Sequence, residues 1–249
     1  MRVIAVMNQK GGVGKTTTAA NLSHGLALEG RRVLAIDLDP QGHLAASFGV
    51  HGADRGLDAV LRGEAELDAV RIKARKGLDL VPPGPRLNEV DGLTEGGAAR
   101  GWLLHRTLAQ LDEEDFVIVD CPPSSGLLGM NALLGAEELL IPVSGDYLAL
   151  LGLSKLMALL KRLETKTGRE TRKWILLTRF QERRRLAHEV REKIRAYFPG
   201  QVLGTPIREA VALTESPSFG KTIFEYRPNS RSGDEYRTLA LDLMNGWTC

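Results

Sequence analysis

Two lysines, Lys10 and Lys15, bracket the glycines of the string Lys10-Gly11-Gly12-Val13-Gly14-Lys15-Thr16. Without Cβ atoms at positions 11, 12 and 14 the backbone can curl so that its N–H groups converge on an anion, and the ammonium groups add full charges. Lys15 is spaced to reach the β- and γ-phosphates of a nucleotide, the Thr16 hydroxyl to ligate the accompanying Mg²⁺, and Thr17 to bond the α-phosphate. Gly11, Gly12, Val13, Gly14, Lys15, Thr16 and Thr17 are therefore the candidate phosphate-binding residues.

Carboxylates supply the complementary chemistry. The run Val33-Leu34-Ala35-Ile36-Asp37-Leu38-Asp39-Pro40 is apolar until two carboxylates at alternate positions, so Asp37 and Asp39 leave an extended chain on the same side. A second run, Phe116-Val117-Ile118-Val119-Asp120-Cys121-Pro122-Pro123, ends in one carboxylate followed by two stiffening prolines. Transfer of a phosphoryl group to water needs an oriented nucleophile and charge compensation more than covalent help. Asp120 is the candidate to hold Mg²⁺ through water, with Asp37 and Asp39 beside the metal and the γ-phosphate. Cys121 reads as a small buried residue rather than a nucleophile.

These groups have to be carried to one place. Residues 3–7 form an apolar strand pattern that runs through the glycine turn directly into a helical pattern, which aims helix N-terminal amides at the anion. Further β-branched runs at 33–36, 78–81, 116–119, 139–143, 174–177 and 202–207 alternate with helical patterns at 16–29, 104–112, 150–164, 186–197 and 236–244. Strands spaced this way need crossovers. They predict an α/β fold with a single domain over residues 1–249, a mostly parallel twisted sheet and helices on both faces. Asp37, Asp39 and Asp120 then fall at the carboxyl ends of strands, the edge where such sheets bind ligands. In the last helix Leu239, Leu243 and Trp247 fall on one stripe. Residues 49–101, rich in glycine and charge, show no clear pattern.

At 249 residues, 43% hydrophobic and 26% charged, the chain can bury a large core and disorder is not expected. Cys121 and Cys249, its two cysteines, cannot build a disulfide framework or a four-ligand zinc site, which favours a reducing cytoplasm. The opening apolar run is too short for a signal peptide, and no stretch approaches the ~20 uncharged apolar residues of a membrane span. Export and membrane insertion are not expected. The net charge of +2 hides an asymmetry: residues 1–160 hold 15 Lys+Arg against 20 Asp+Glu, net −5, whereas residues 161–249 hold 18 against 11, net +7. Such a basic third hints at an anionic partner.

The ordinary phosphate-loop pattern G-x-x-x-x-G-K-[ST] has glycine where this chain has Gln9, and Lys10 is an extra cation at the loop mouth. The string resembles the deviant Walker A motif of the ParA/MinD family of P-loop ATPases. The similarity runs over nearly the whole chain, through residues 37–42, 120–124, 142–153 and 216–221, and is closest to short ParA-like proteins without an N-terminal helix-turn-helix domain. It implies that Lys10 crosses a dimer interface to the partner subunit's nucleotide, that Asp39 positions the attacking water, and that Asp37 serves the metal's outer shell or a switch. With Lys15, Lys10 and Asp39 form the catalytic set. Adenine, by the same resemblance, lies near Thr178, Arg179, Pro206, Ile207 and Arg208.

The resemblance also implies ATP and Mg²⁺ as cofactors and a homodimer formed with ATP. By the same resemblance, that dimer is expected to bind double-stranded DNA without sequence preference, and a ParB-like or cargo-adaptor protein to stimulate hydrolysis and release it. The implied work is to position a chromosome origin, plasmid or protein organelle such as a carboxysome over the nucleoid in the cytoplasm. The basic C-terminal third suits this, with Arg208, Lys221, Arg227 and Arg231 as candidate DNA contacts. Where relatives carry D-P-R-S-R-G this chain reads Arg227-Pro228-Asn229-Ser230-Arg231-Ser232, so one arginine is displaced.

Three rivals share the loop. A MinD-like membrane switch needs a terminal helix with a strong apolar face and a basic flank, yet Arg237 is the sole cation after Glu235, so that helix is expected to pack on the body. An iron–sulfur carrier needs cluster cysteines on mid-chain loops, which Cys121 and Cys249 do not provide. An ATP-dependent metabolic synthetase of the same superfamily would differ in that a small acid substrate accelerates ADP release.

Overall fold

Strands and helices alternate as the apolar runs predict. The computed structural model describes residues 1–92, 97–124 and 126–249. The order begins β1 (Arg2–Val6), α1 (Lys15–Leu28), β2 (Val33–Asp37), α2 (His43–Ser47) and α3 (Leu57–Leu61). A hairpin, β3 (Ile72–Arg75) and β4 (Leu78–Val81), is followed by α4 (Leu87–Asp91), α5 (Leu103–Leu108), β5 (Phe116–Asp120) and α6 (Leu127–Gly135). Then come β6 (Glu138–Ser144), α7 (Tyr147–Thr167), β7 (Arg172–Thr178) and α8 (Arg185–Tyr197), and finally α9 (Val211–Glu215), α10 (Ile223–Tyr226) and α11 (Arg231–Asn245).

The sheet has seven strands in the order β3-β4-β2-β5-β1-β6-β7. Every neighbouring pair is parallel except β3 and β4. β5 lies between β2 and β1, which sets Asp37 level with Asp120 across one pair of strands and Val6 level with Asp120 across the other. The strands carrying the phosphate loop and the candidate carboxylates are thus adjacent in the middle of the sheet.

Alternate residues of each strand feed two cores. Val3, Ala5 and Met7 face α6, α7 and α8, while Ile4 and Val6 face α1 and α11. Covering both faces is what lets β2 and β5 be apolar up to their terminal aspartates, Asp37 and Asp120. On the second face Leu22 and Leu26 of α1 meet Leu239 and Leu243 of α11, all without exposed surface. Each such burial contributes roughly 1.5–3 kcal/mol.

Three expectations are corrected, and one strand had no counterpart in the sequence patterns. Residues 202–207 make isolated bridges, Ile175 with Val202 and Leu203 with Thr248, because Gly204 and the N–H-less Pro206 interrupt a continuous ladder. β3, rich in charge and only four residues long, carried no apolar alternation to reveal it. The helix expected over 104–112 stops at Leu108; residues 109–110 form a turn and 111–112 no regular structure. Trp247 leaves the α11 stripe: Gly246, at φ 69, ends the helix and the indole is 59% exposed. The rest of that stripe packs on the body as expected, and no helix among the described residues is long and apolar enough to cross a membrane.

Candidate functional site

The phosphate loop is held open from both sides. Asn8 donates from Nδ2 to the Pro142 carbonyl at 2.7 Å and accepts from the Lys10 amide at 3.0 Å, stapling the exit of β1 to β6. Thr178 Oγ1, at the end of β7, donates to the Val13 carbonyl at 2.7 Å. Gly12 (φ 72) and Gly14 (φ 84) occupy the left-handed region that side chains disfavour. No atom lies within 4 Å of where a Cβ would stand at Gly11 or Gly12, so the loop is an open cradle. Gly14 starts α1 with no side-chain cap, leaving its first amides for an anion. Beside the loop is a cavity of about 520 Å³, into which Lys15, Thr16, Thr17, Asp39 and Asp91 face with Gly11, Gly12, Gly14 and the Pro122-Pro123 turn. That volume suits a nucleotide-sized ligand.

Three carboxylates and one ammonium group meet under the cradle. Asp120 is fully buried and neither oxygen has a hydrogen-bond partner of good geometry. Burial pushes its carboxyl up to about 7; the Thr16 hydroxyl and the Lys15 ammonium pull down, while Asp39 pushes further up. Asp37 is also raised, by burial and by Asp120. Its oxygens are engaged in shaping the turn after β2, accepting from the Asp39 amide at 3.2 Å and the Ala45 amide at 2.9 Å. Asp39 accepts from the Gln41 amide at 3.0 Å and faces the cavity. Burial lowers the pKa of Lys15, against the pull of Asp120 and Asp39.

A buried carboxylate with two unsatisfied oxygens, crowded by a second and a third, is the donor set that a hard divalent cation relieves. The residues therefore fit Mg²⁺, which Thr16 and Asp120 would hold, directly or through water, with Asp37 one layer out.

Lys10 and Lys15 have opposite surroundings. Lys15 points into the cradle, its Nζ 3.4 Å from the Lys10 carbonyl. Lys10 points away and its Nζ donates to both Asp146 oxygens, at 2.9 and 2.7 Å. Asp146 also accepts from Ser144 Oγ at 2.6 Å and from the Ala149 amide at 3.0 Å, capping α7. Burial raises the Asp146 pKa, but the bonds from Lys10, Ser144 and Ala149 prevail and hold it below the usual carboxylate range.

Residues 1–173 match an AAA-domain family. The chain is 41% identical over 247 residues to the chromosome-partitioning ATPase Soj of Thermus thermophilus, covering 98% of this chain and 96% of that one. It is 38% identical over 248 residues to the chromosome partitioning protein ParA of Myxococcus xanthus, over 98% of this chain and 88% of the other. The chain belongs to the ParA/Soj family of P-loop ATPases. Its fold also aligns, at TM-score 0.84 and 31% identity, with the cobyrinic acid a,c-diamide synthase of Mycobacterium smegmatis bound to an ATP analogue and magnesium, over 99% of this chain and 96% of that one.

In this ParA/Soj chain the residues expected near adenine gather at the end of β7. The Ile207 amide donates to the Leu177 carbonyl and the Phe180 amide to the Ile207 carbonyl, which brings residues 206–208 beside Thr178 and Arg179. Their side chains have other work. Thr178 holds Val13, and Ile207 is buried in the core. Arg179, the sole non-glycine residue at positive φ (48°) among the described residues, donates to the Gly12 carbonyl at 3.2 Å and to Glu209 at 2.7 Å. It borders a second cavity, about 260 Å³, shared with Lys10, Asp146, Gln181 and Glu209. Neither cavity is lined by Pro206, Ile207 or Arg208.

The expected DNA contacts separate. Arg208 is clamped between Glu182 and Glu235, and Arg231 reaches the same two carboxylates at 3.2 and 3.5 Å. Lys221 is exposed, and Arg227 lies 5.6 Å over the Tyr226 ring.

Sequence reasoning missed Asp146, Asn88 and Asp91 at the cavity walls. Asp146 had a local signal, a Ser-Gly-Asp turn at a strand end before a helical apolar run, which is an N-cap signature. Asp91, which accepts from the Leu128 amide at 2.9 Å, belongs to the stretch with no readable pattern.

Proposed function

We propose that this protein is an ATP-driven positioning switch that dimerises on ATP, binds DNA without sequence preference and carries a cargo over the nucleoid of the cytoplasm. The observation that carries this reading is the outward Lys10. One lysine is enough to serve the chain's own phosphates, and Lys15 occupies that position. Lys10 instead stands at the loop mouth, held by an ion pair whose partners are 36% and 44% exposed. Such a pair contributes under about 1 kcal/mol. It yields readily when a second copy presents a triphosphate, and Lys10 then bonds the partner's nucleotide.

Within each copy, the Gly11–Thr16 amides and Lys15 bind the phosphates, Thr16 and Asp120 hold Mg²⁺, and Asp39 accepts a hydrogen bond from the attacking water and orients it. Bound Mg²⁺ supplies charge compensation to the phosphates. The buried, crowded state of Asp120 favours a loaded site. A ParB-like or adaptor partner stimulates turnover and ends the DNA-bound state.

The test combines sedimentation with mobility shift of unrelated duplexes, with and without ATP, across a salt series. Dimer and DNA binding should appear together, only with ATP, and weaken steeply with salt. Equal DNA binding by nucleotide-free monomer would sink the switch. The similarity to an amide synthase favours a second reading, a metabolic ATP-dependent ligase. ADP release accelerated by a small carboxylic acid, in the absence of DNA and partner, would select it.

A further inference from the structure

Two sets of cations on the basic side of the molecule contrast with one another, apart from scattered exposed ones such as Arg183, Arg184 and Lys221. Arg208 and Arg231 already share Glu182 and Glu235, so much of their charge is spent within the chain. α7 is different. Lys155, Lys161, Arg162 and Lys166 lie on its solvent face, none forms an ion pair among the described residues, and no carboxylate is exposed on the helix. Its one acidic residue, Glu164, turns away to Lys173 at 2.6 Å and to the Thr171 amide at 3.0 Å. Ala158 and Thr165 lie exposed between the cations and Ser154 just before them, small enough to let a flat or grooved surface approach.

A solvated helix face usually mixes signs, as α8 does with Arg185 and Glu189 one turn apart at 2.9 Å. On α7, Arg162 and Lys166 are instead like charges one turn apart, a mildly destabilising arrangement that a bound polyanion reverses. From Lys155 to Lys166 the stripe runs about 16 Å, a length over which one DNA strand presents about five phosphates. The helix is also tied to the nucleotide site: Asp146, its N-cap, is the carboxylate that holds Lys10.

We infer that the solvent face of α7 is a surface on which the DNA phosphate backbone lies, with Lys155, Arg162 and Lys166 as its principal contacts. The inference rests on the DNA-binding reading above and goes beyond it by placing the contact on α7 rather than at Arg208 or Arg231. When Lys10 leaves Asp146 for a partner's nucleotide, the first turn of the same helix loses that tether, so the DNA face and the nucleotide share one element.

The experiment compares wild type with the triple variant Lys155→Gln/Arg162→Gln/Lys166→Gln, whose glutamines keep helix propensity, and with Arg208→Gln as a second variant. Circular dichroism and ATP-dependent dimerisation check folding. The triple variant should dimerise and hydrolyse ATP at the basal wild-type rate, yet bind unrelated duplexes at least about tenfold more weakly at about 0.1 M salt. The slope of log affinity against log salt should shrink by about one for each lost phosphate contact. Arg208→Gln should weaken DNA binding less. If wild type binds DNA with ATP and the triple variant binds equally with the same slope, the α7 assignment is overturned while the DNA-binding reading stands. If wild type itself binds no DNA at any salt, both fall. Unchanged DNA affinity with lost stimulation by a partner protein would make α7 a protein-docking face and overturn the inference too.

Discussion

Lys10 Nζ sits 2.7 Å from one oxygen of Asp146, the same side chain that caps α7 through the Ala149 amide. Whether this pair restrains Lys10 or guides it can be measured. Lys10→Ala should leave ATP affinity nearly intact and abolish ATP-dependent dimerisation. Asp146→Asn keeps a capping side chain and removes the charge, so α7 persists and Lys10 is released. Dimerisation should then strengthen several-fold by analytical ultracentrifugation. A weaker dimer would mean that Asp146 aims Lys10 at the partner.

Asp39 faces the cavity and accepts only a local amide, so it is free to orient a water. Asp39→Ala should bind ATP normally and hydrolyse it at least about a hundredfold more slowly, the usual scale for a lost positioning base. Lys15→Ala removes a charge-assisted bond to phosphate and should weaken nucleotide binding itself, by roughly 1.5–3 kcal/mol. Equilibrium binding and single-turnover rates separate the two. Wild-type turnover in Asp39→Ala would remove it from the chemistry.

Asp120 is buried with neither oxygen in a well-formed hydrogen bond, an arrangement that Lys15 only partly offsets and that is destabilising until a divalent cation binds. Asp120→Asn should therefore raise the melting temperature of nucleotide- and Mg²⁺-free protein, while lowering hydrolysis and removing the extra stability that Mg²⁺-ATP gives wild type. Differential scanning calorimetry with and without EDTA checks this. A lower melting temperature in the metal-free variant would show that Asp120 holds structure rather than a cation.

Glu138 anchors β6 to β1 and β7. It accepts from Arg2 Nε at 2.6 Å, from Arg2 Nη2 at 2.7 Å and from Trp174 Nε1 at 2.5 Å. Burial alone would raise its pKa, but the bonds from Arg2 and Trp174 outweigh that and lower it. A carboxylate lowered on folding contributes stability above its unfolded value of about 4.3 and loses it as pH falls through the folded value below that. Glu138→Gln should cost roughly 2 kcal/mol near neutral pH. Urea melts followed by tryptophan fluorescence should show that deficit narrowing as pH drops below about 4. A pH-independent deficit would contradict the assignment.

The parts of the site that were legible in the sequence are those whose geometry is local. Glycine spacing dictates the cradle around Gly12 and Gly14, and an apolar run ending in a carboxylate dictates Asp37 and Asp120 at strand ends. What escaped depends on distant partners. Nothing near Arg208 announces that Glu182 and Glu235, 26 and 27 residues away, will neutralise it. Asp91 lies on a five-residue helix too short to show a period. The hydrogen bond from Thr178 to the Val13 carbonyl spans 165 residues and has no local signal either.

The two margins of the sheet bear on how many copies can join. β3 ends one margin with a register shift between Lys73 and Arg75, and the Lys73 side chain stands 89% in solvent. At the other margin, residues 201–203 exchange backbone hydrogen bonds with Ile175 and cover part of β7. A kinked, charged strand on one side and a covered strand on the other discourage sheet-to-sheet growth from copy to copy. The association through the nucleotide mouth proposed above would, by contrast, use the same patch on both copies and be complete at two. If the DNA-bound dimer proposed above forms, crowding along one DNA molecule would gather closed pairs rather than extend a fibre.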